Sequence, residues 1–300
     1  MNIEVSSKNI RFFEALSSET RIKMIELLNE QPMNIKELAE KLDISSAIVT
    51  RHAQLLEQAG IISSKSLTAS RGTQKMCSLL LDQVHLQFRG KGRGPNEIAA
   101  SIPVGQYISY EVKPTCGLAS SAKQIGVVND PRYFADPEHV HASIIWFGSG
   151  YVTYRIPNFL QNDQTLTSLE ISLEICSEAH RHNEQWPSDI TFYINDIRLG
   201  TWTCPGDFGG PPGIYNPPWW TYYNTQHGQL KTITVKKQMT VIDGDVMSQV
   251  TINDLNVAPG KELFLKIAVH EDAVHCGGIN IFGKDFGNYN QDIRVTMTYA

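Results

Sequence analysis

The spacing of hydrophobic positions changes once along this chain, from helical to alternating, near residue 90. In ETRIKMIELLNE, Ile22, Ile25 and Leu28, with Met24 and Leu27, form a broad apolar stripe; Ser18 precedes it and Pro32 closes it. Asn34 then opens NIKELAEKL. Ile35, Leu38, Ala39 and Leu42 follow at i, i+3, i+4 and i+7, and Glu37 stands where a capping box requires it. Asp43, Ile44 and Ser45 make a tight turn into SSAIVTRHAQLLEQAG, which starts at Ser45 as N-cap and stops at Gly60. On this helix Val49, His52, Ala53 and Leu56 share one face, and Ser46, Thr50, Arg51 and Gln54 the other. Two strand-like runs, IISSKS and TQKMCSLLL, then flank LTASRG and predict a hairpin with Arg71 and Gly72 near its tip. Helix, short turn, helix and hairpin together predict a winged helix-turn-helix over residues 1–87.

FRGKGRGPNE, residues 88–97, breaks this pattern with glycines and a proline and reads as a linker. Beyond it the period is two. SLEISLEI, DITFYIND, ELFLKIAVH and DIRVTMTYA alternate apolar and polar positions, and YISYEV, SIIWFG, YVTYRI, RLGTWT and LKTITVKK add further strands. Nine or ten strands with almost no helical candidates predict an antiparallel jelly-roll β-sandwich over residues 98–300. The fold class is α+β in two domains: a mostly α winged helix, then a β-sandwich.

Composition adds bounds. With 41% hydrophobic and 19% charged residues in a 300-residue chain, two soluble domains are affordable. No long apolar run and no signal-peptide pattern appear, and five scattered cysteines lack CxxC spacing. The expected setting is the cytoplasm, with reduced thiols and no membrane. Lys+Arg against Asp+Glu is 11 to 10 over residues 1–89 but 15 to 21 over 90–300, so the net charge of −5 sits in the second part. Contact with nucleic acid must therefore be local. Between Ile44 and Leu81 the cations Arg51, Lys65, Arg71 and Lys75 face a single acid, Glu57.

Residues 9–81, FEALSSETRIKMIELL through LLEQAGIISS, resemble the ArsR-type winged-helix transcription regulators, most specifically in the turn into SSAIVTRH. The resemblance implies a homodimer on a double-stranded DNA operator. It implies contacts from Ser46, Thr50, Arg51 and Gln54, to which the wing adds Lys65 and Arg71. Metal-sensing members carry cysteines on the helix before the turn, where MNIKELAEKL has none, so no metal is expected. FYINDIRLGTWTC is similar to a hairpin of galactose-binding-like and carbohydrate-binding sandwiches, which speaks to architecture alone.

The candidate chemistry of the second domain lies in two loops. CPGDFGGPPGIYNPPWWTYYNTQHG is far longer than an ordinary connection and packs four aromatic residues into Trp219–Tyr223. GGINIFGKDFGNYNQD, residues 277–292, is rich in glycine and amides. Aromatic faces beside amides and carboxylates suit a sugar or oligosaccharide. The expected ligand residues are Asp207, Trp219, Trp220, Tyr222, Tyr223 and Gln226, with Asn280, Asp285 and Gln291 from the second loop. His270, Glu271 and His275 join them as hydrogen-bonding groups. His139 and His141, read as alternating on a strand, lack a complete ligand set for zinc. Pairing Asp207 or Glu271 with Asp285 for glycoside hydrolysis is a weaker reading, so neither enzyme activity nor a cofactor is expected. The pattern points to a one-component regulator whose sandwich senses a small molecule, a sugar first. The alternative is a sandwich that dimerises the chain or docks a protein.

Overall fold

The structure, a computed structural model, describes residues 2–69, 72–81, 84–87 and 96–300. The chain divides into two compact units, Met1–Gly92 and Arg93–Ala300. Residues 88–95 of the expected linker, and Arg71 at the expected wing tip, lie outside the described residues.

The first unit opens with β1 (Asn2–Glu4) and four helices follow: α1 (Ile10–Leu16), α2 (Glu19–Glu30), α3 (Ile35–Leu42) and α4 (Ser46–Gln58). Local chemistry fixes their ends. Asn34 Oδ1 accepts from the N–H groups of Lys36 (2.9 Å) and Glu37 (3.0 Å), while Glu37 Oε2 accepts from Asn34 N (2.8 Å). The capping box read in the sequence is thus closed from both sides. Asp43 ends α3 at φ 52, a left-handed geometry that a short polar side chain tolerates. Ser45 Oγ accepts from Ile48 N at the start of α4. The Arg21 guanidinium donates to the carbonyls of Ala15 and Glu14, both at 2.6 Å, and so satisfies the free C-terminal end of α1.

Between the helices lies β2 (Met33–Asn34), and after them β3 (Ile62–Ala69) and β4 (Gly72–Leu79) form the expected hairpin. β2 pairs with β4 through Met33 and Cys77, giving a three-stranded sheet. Two residues carry no period, so this strand left no sequence signal. β5 (His85–Gln87) runs parallel to β1 and was not foreseen either. The core joins Met24, Leu28, Leu38, Val49, Leu56, Ile62 and Cys77.

The second unit is all β apart from short 3-10 turns. Its strands in chain order begin with β6 (Glu97–Ile102), β7 (Tyr107–Ala119), β8 (Gln124–Ile125), β9 (Ile144–Ile156) and β10 (Leu166–Cys176). A hairpin of β11 (Ser188–Ile194) and β12 (Ile197–Cys204) turns at Asn195 and Asp196, both at positive φ. Then come β13 (Gln229–Val235), β14 (Thr240–Ile242), β15 (Asp245–Ser248), β16 (Leu263–Val269), β17 (Ile279–Phe282) and β18 (Ile293–Tyr299). Asp243 and Gly244, both at positive φ, make the β14–β15 turn.

Two layers result. One runs β12-β11-β16-β9-β7-β8 and the other β6-β18-β10-β13-β14-β15. Alternation puts Ile190, Phe192, Ile194, Leu265 and Ile267 of the first layer against Leu169, Ile171, Ile233 and Val295 of the second. β17 belongs to both: Ile279–Phe282 pairs antiparallel with Phe147–Ile144 of β9, and Asn280–Phe282 with Cys176–Glu174 of β10. The layers are hydrogen-bonded together at that end, so the sandwich is a near-barrel there.

Three sequence expectations change. SIIWFG and YVTYRI are one strand, β9, because Ser149 and Gly150 stay paired with Lys113 and Val112 of β7, Gly150 at φ 107. The run at 277–292 is only partly a loop, since it contains β17. His139 and His141 sit in a 3-10 turn (Pro137–His141), not on a strand; the Pro137 ring starts the turn and the Asp136 carboxylate caps it. His139 stacks on Tyr107 (4.6 Å) with Nδ1 2.6 Å from the Gly105 carbonyl, so it packs as a buried-edge histidine.

Candidate functional site

In the first unit the polar face of α4 is presented outward. Ser46, Arg51 and Gln54 are exposed and Thr50 half-buried, its hydroxyl donating to the Ser46 carbonyl at 2.7 Å. Among the described residues nothing pairs with the side chains of Ser46, Arg51 or Gln54. Ile48, at the edge of this face beyond Arg51, is exposed and adds a small apolar surface. Lys65 on β3 is exposed. Lys75, counted above among the local cations, is spent: its Nζ lies 2.9 Å from Glu57 Oε2, and Ser64 Oγ donates to the same carboxylate. His52 is half-buried with Nδ1 3.4 Å from Arg21; burial first, then Arg21 and Arg51, hold its pKa below the ordinary value. A neutral ring fits its packing role.

In the second unit the long loop does form a wall. A cavity of about 270 Å³ opens beside the β17 junction. Trp219, Trp220, Tyr223 and Asn280, all expected, line it together with Trp146, Glu178 and Thr115, which were not. The register explains the meeting. Trp146 of β9 is the partner of Asn280 of β17, so both side chains leave the sheet on the face opposite Ile145 and Ile281. The indole of Trp146 lies across Gly117 of β7, where any Cβ would collide with it. Thr115 is re-aimed by a bulge between Lys113 and Cys116.

The loop's own amides hold its shape. Gln226 is buried; its Nε2 donates to the carbonyls of Thr221 (2.9 Å) and Asn224 (2.8 Å). Asn216 Nδ2 donates to the Gln226 carbonyl and its Oδ1 accepts from Gly287 N (2.8 Å), which ties the two long loops together. Below them the wholly buried Glu174 carboxylate accepts from the N–H groups of Gly228, Asn288 and Tyr289. Gly287, at φ 70, leaves the space that carboxylate needs. Trp220 Nε1 donates to the Thr225 carbonyl and Trp219 Nε1 to the Ser121 carbonyl, both at 2.8 Å. The ring of Trp220 meets Phe286 edge-on at 5.1 Å. The aromatics are rooted in the core on one side and line the cavity on the other.

Two acids mark this site. Glu178 follows β10, and its Oε2 accepts from Asn280 Nδ2 at 2.9 Å. Burial first, then the neighbouring Asp207, push its pKa up to about 8. Asp207 is fully buried. Its Oδ2 accepts from Ala179 N and Thr225 Oγ1, both at 2.9 Å, and its Oδ1 has no hydrogen-bond partner. Burial pushes it up to about 7.

Other expected ligand residues lie elsewhere. Asp207 supports the wall from beneath instead of facing the cavity, because its carboxylate is needed by Ala179 and Thr225. Gln226 is consumed by the loop backbone. Tyr222 is exposed outside the lining, its ring tilted against Tyr223. His270 hydrogen-bonds Tyr193 Oη (2.8 Å), and Glu271 pairs with Lys113. His275 Nδ1 lies 3.3 Å from Asp189. Asp285 is an exposed turn residue at φ 67, and Gln291 Nε2 donates to Ser172. Amides and acids in a Gly-rich loop serve its backbone first. Trp146 left no loop signal because it sits in a run that reads as core strand.

Residues 18–64 match the family model described as bacterial regulatory protein, arsR family. Over 55 residues the chain is 42% identical to an uncharacterized HTH-type transcriptional regulator of Methanocaldococcus jannaschii, a match taking 18% of this chain and 58% of that protein. The chain thus spans a little over half the length of this curated relative. Among solved structures, an ArsR family transcriptional regulator matches over 23% of this chain and 71% of its own, at 26% identity and TM-score 0.20. The second unit is similar to the CBM36-1 domain of a multidomain xylanase from the hindgut metagenome of Trinervitermes trinervoides. That match covers 68% of this chain and 98% of the domain, at 9% identity and TM-score 0.30.

Proposed function

We propose that this chain, an ArsR-type helix-turn-helix over residues 18–64 joined to a β-sandwich, is a DNA-binding transcription regulator controlled by a small effector, a sugar or short oligosaccharide. α4 enters the major groove, with Ser46, Thr50, Arg51 and Gln54 toward bases and phosphates and Lys65 and Arg71 of the wing on the backbone. The chain works as a homodimer in the cytoplasm, on an operator with two half-sites about 34 Å apart. The effector occupies the cavity beside β17. By linkage, whatever affinity change the effector imposes on DNA, DNA imposes equally on the effector.

The observation that carries the reading is the cavity wall. Trp146, Trp219, Trp220 and Tyr223 offer ring faces while Asn280, Glu178 and Thr115 offer polar groups, and the loop that supplies a third of the lining is held by buried hydrogen bonds. A site built before its ligand arrives fits recognition. Hydrolysis would need two carboxyls facing the substrate. Asp207 lies beneath the wall, leaving Glu178 as the one acid among the described lining residues.

The test is thermal denaturation of the full chain against mono- and oligosaccharides, with Trp219→Ala and Tyr223→Ala beside it. At 100 times its Kd a ligand adds about 2.7 kcal/mol of stability. A sugar that stabilises the wild type and neither variant is the expected result. A flat panel from folded protein would sink the sensor reading. It would favour an interaction module, for which the exposure of Ile214, Tyr215 and Tyr222 speaks.

A further inference from the structure

Glu178 stands on the cavity wall with hydrogen-bond partners but no counter-charge. Its carboxylate accepts from Asn280, and among the described residues no cation is paired with it. Directly behind it Asp207 is buried with one oxygen unpartnered. Two acids are therefore gathered at one wall, and among the described residues neither is in an ion pair. Buried carboxylates are ordinarily paired, and an unpaired one is costly. The titratable groups that line the cavity from Glu178's own segment are Arg181 and His180, both exposed; the guanidinium lies over the Tyr223 ring at 5.8 Å. The lining from β7, β8, β9, β17 and the long loop carries no charge.

The aromatic walls stand at steep angles. Trp219 and Trp220 meet at 86° with centroids 5.5 Å apart, and Trp146 and Trp220 at 68° and 6.0 Å. A flat sugar ring stacks on one platform. Rings set crosswise instead enclose a compact group from several sides, and the negative ring face attracts a cation. Resting on the sugar reading above, we infer that the occupant carries a protonated amine, as in an amino sugar with a free ammonium group, seated between the indole walls and the Glu178 carboxylate. The elevated pKa of Glu178 agrees with this: burial and Asp207 favour the proton on the acid, and a cation beside it would favour the carboxylate instead.

Isothermal titration of the full chain at pH 7 tests it, with glucosamine and galactosamine against glucose, galactose and the two N-acetylated amines. Two buffers of different ionisation enthalpy count the protons released. The free amines should bind at least about ten-fold more tightly than their N-acetyl forms, with close to one proton released per sugar. Glu178→Gln should abolish both the preference and the proton release, and a melting curve checks that it is folded. Neutral and N-acetylated sugars binding the wild type as tightly as the amines would overturn the inference and leave the sugar reading standing. So would a preference that survives in Glu178→Gln. Tetramethylammonium binding without any sugar would sink the sugar reading and uphold the cation pairing. Silence from the whole panel overturns both.

Discussion

At the scale of single residues, environment decides what each polar group does. Gln226 and Asp207 have the side chains a sugar site uses, yet both are turned inward to satisfy backbone donors and acceptors. Glu178 has the same chemistry as Glu174. Glu174 is met by three N–H groups, whereas Glu178 faces the cavity with Asn280 and Thr115 for company. The two raised acids give a pH dependence whose sign can be worked out. Both bind their protons more tightly folded than unfolded, so their contribution to stability is fully present below the unfolded values. It is lost as pH rises through about 7 for Asp207 and about 8 for Glu178. Ligand-free protein should melt at a higher temperature near pH 5 than near pH 8, and Glu178→Gln with Asp207→Asn should narrow the gap. A gap of unchanged size in the folded double variant would show that other groups carry the dependence.

At the scale of elements, much was legible. Asn34, Glu37 and Ser45 announce helix starts because capping is local, and the alternation in SLEISLEI announces β10 because its two faces meet core and non-core. What was not legible depends on register between distant strands. Trp146 and Asn280 lie 134 positions apart and become neighbours only because β17 pairs with β9. Trp219, Trp220 and Tyr223 could be read because an aromatic cluster within a long loop has few structural uses. Glu174 illustrates the hidden class: it alternates like any strand residue, yet it anchors both long loops. Glu174→Gln should cost roughly 3 kcal/mol in the second unit, since a buried amide replaces an acceptor of charge-assisted hydrogen bonds. Urea unfolding measures it, and a loss below about 0.5 kcal/mol would remove Glu174 from this role. Asn34→Ala should cost about 1 kcal/mol in the first unit by opening the capping box.

At the scale of the whole molecule, the net charge of −5 leaves the proposed DNA contact dependent on few cations, because Lys75 is neutralised by Glu57. Affinity for an operator should fall with salt along a shallow slope. Lys65→Ala should reduce that slope by about one, while Arg51→Ala should cost about 1–3 kcal/mol and relax sequence preference. Anisotropy titrations across salt distinguish the two, and a Lys65 variant with an unaltered slope would take the wing off the phosphates.

For the proposed sensor, β17 also bears on how occupancy of the cavity is felt elsewhere. Three residues, Asn280, Ile281 and Phe282, are laced to both layers at the cavity end, so the sheets there form a closed clasp. The rest of the wall is the segment after β10 and the Trp-bearing loop, joined across Asp207 by Ala179 and Thr225. In the proposed sensor that joint is the link between the two segments, which turns one buried aspartate from a packing detail into a candidate relay of the second unit.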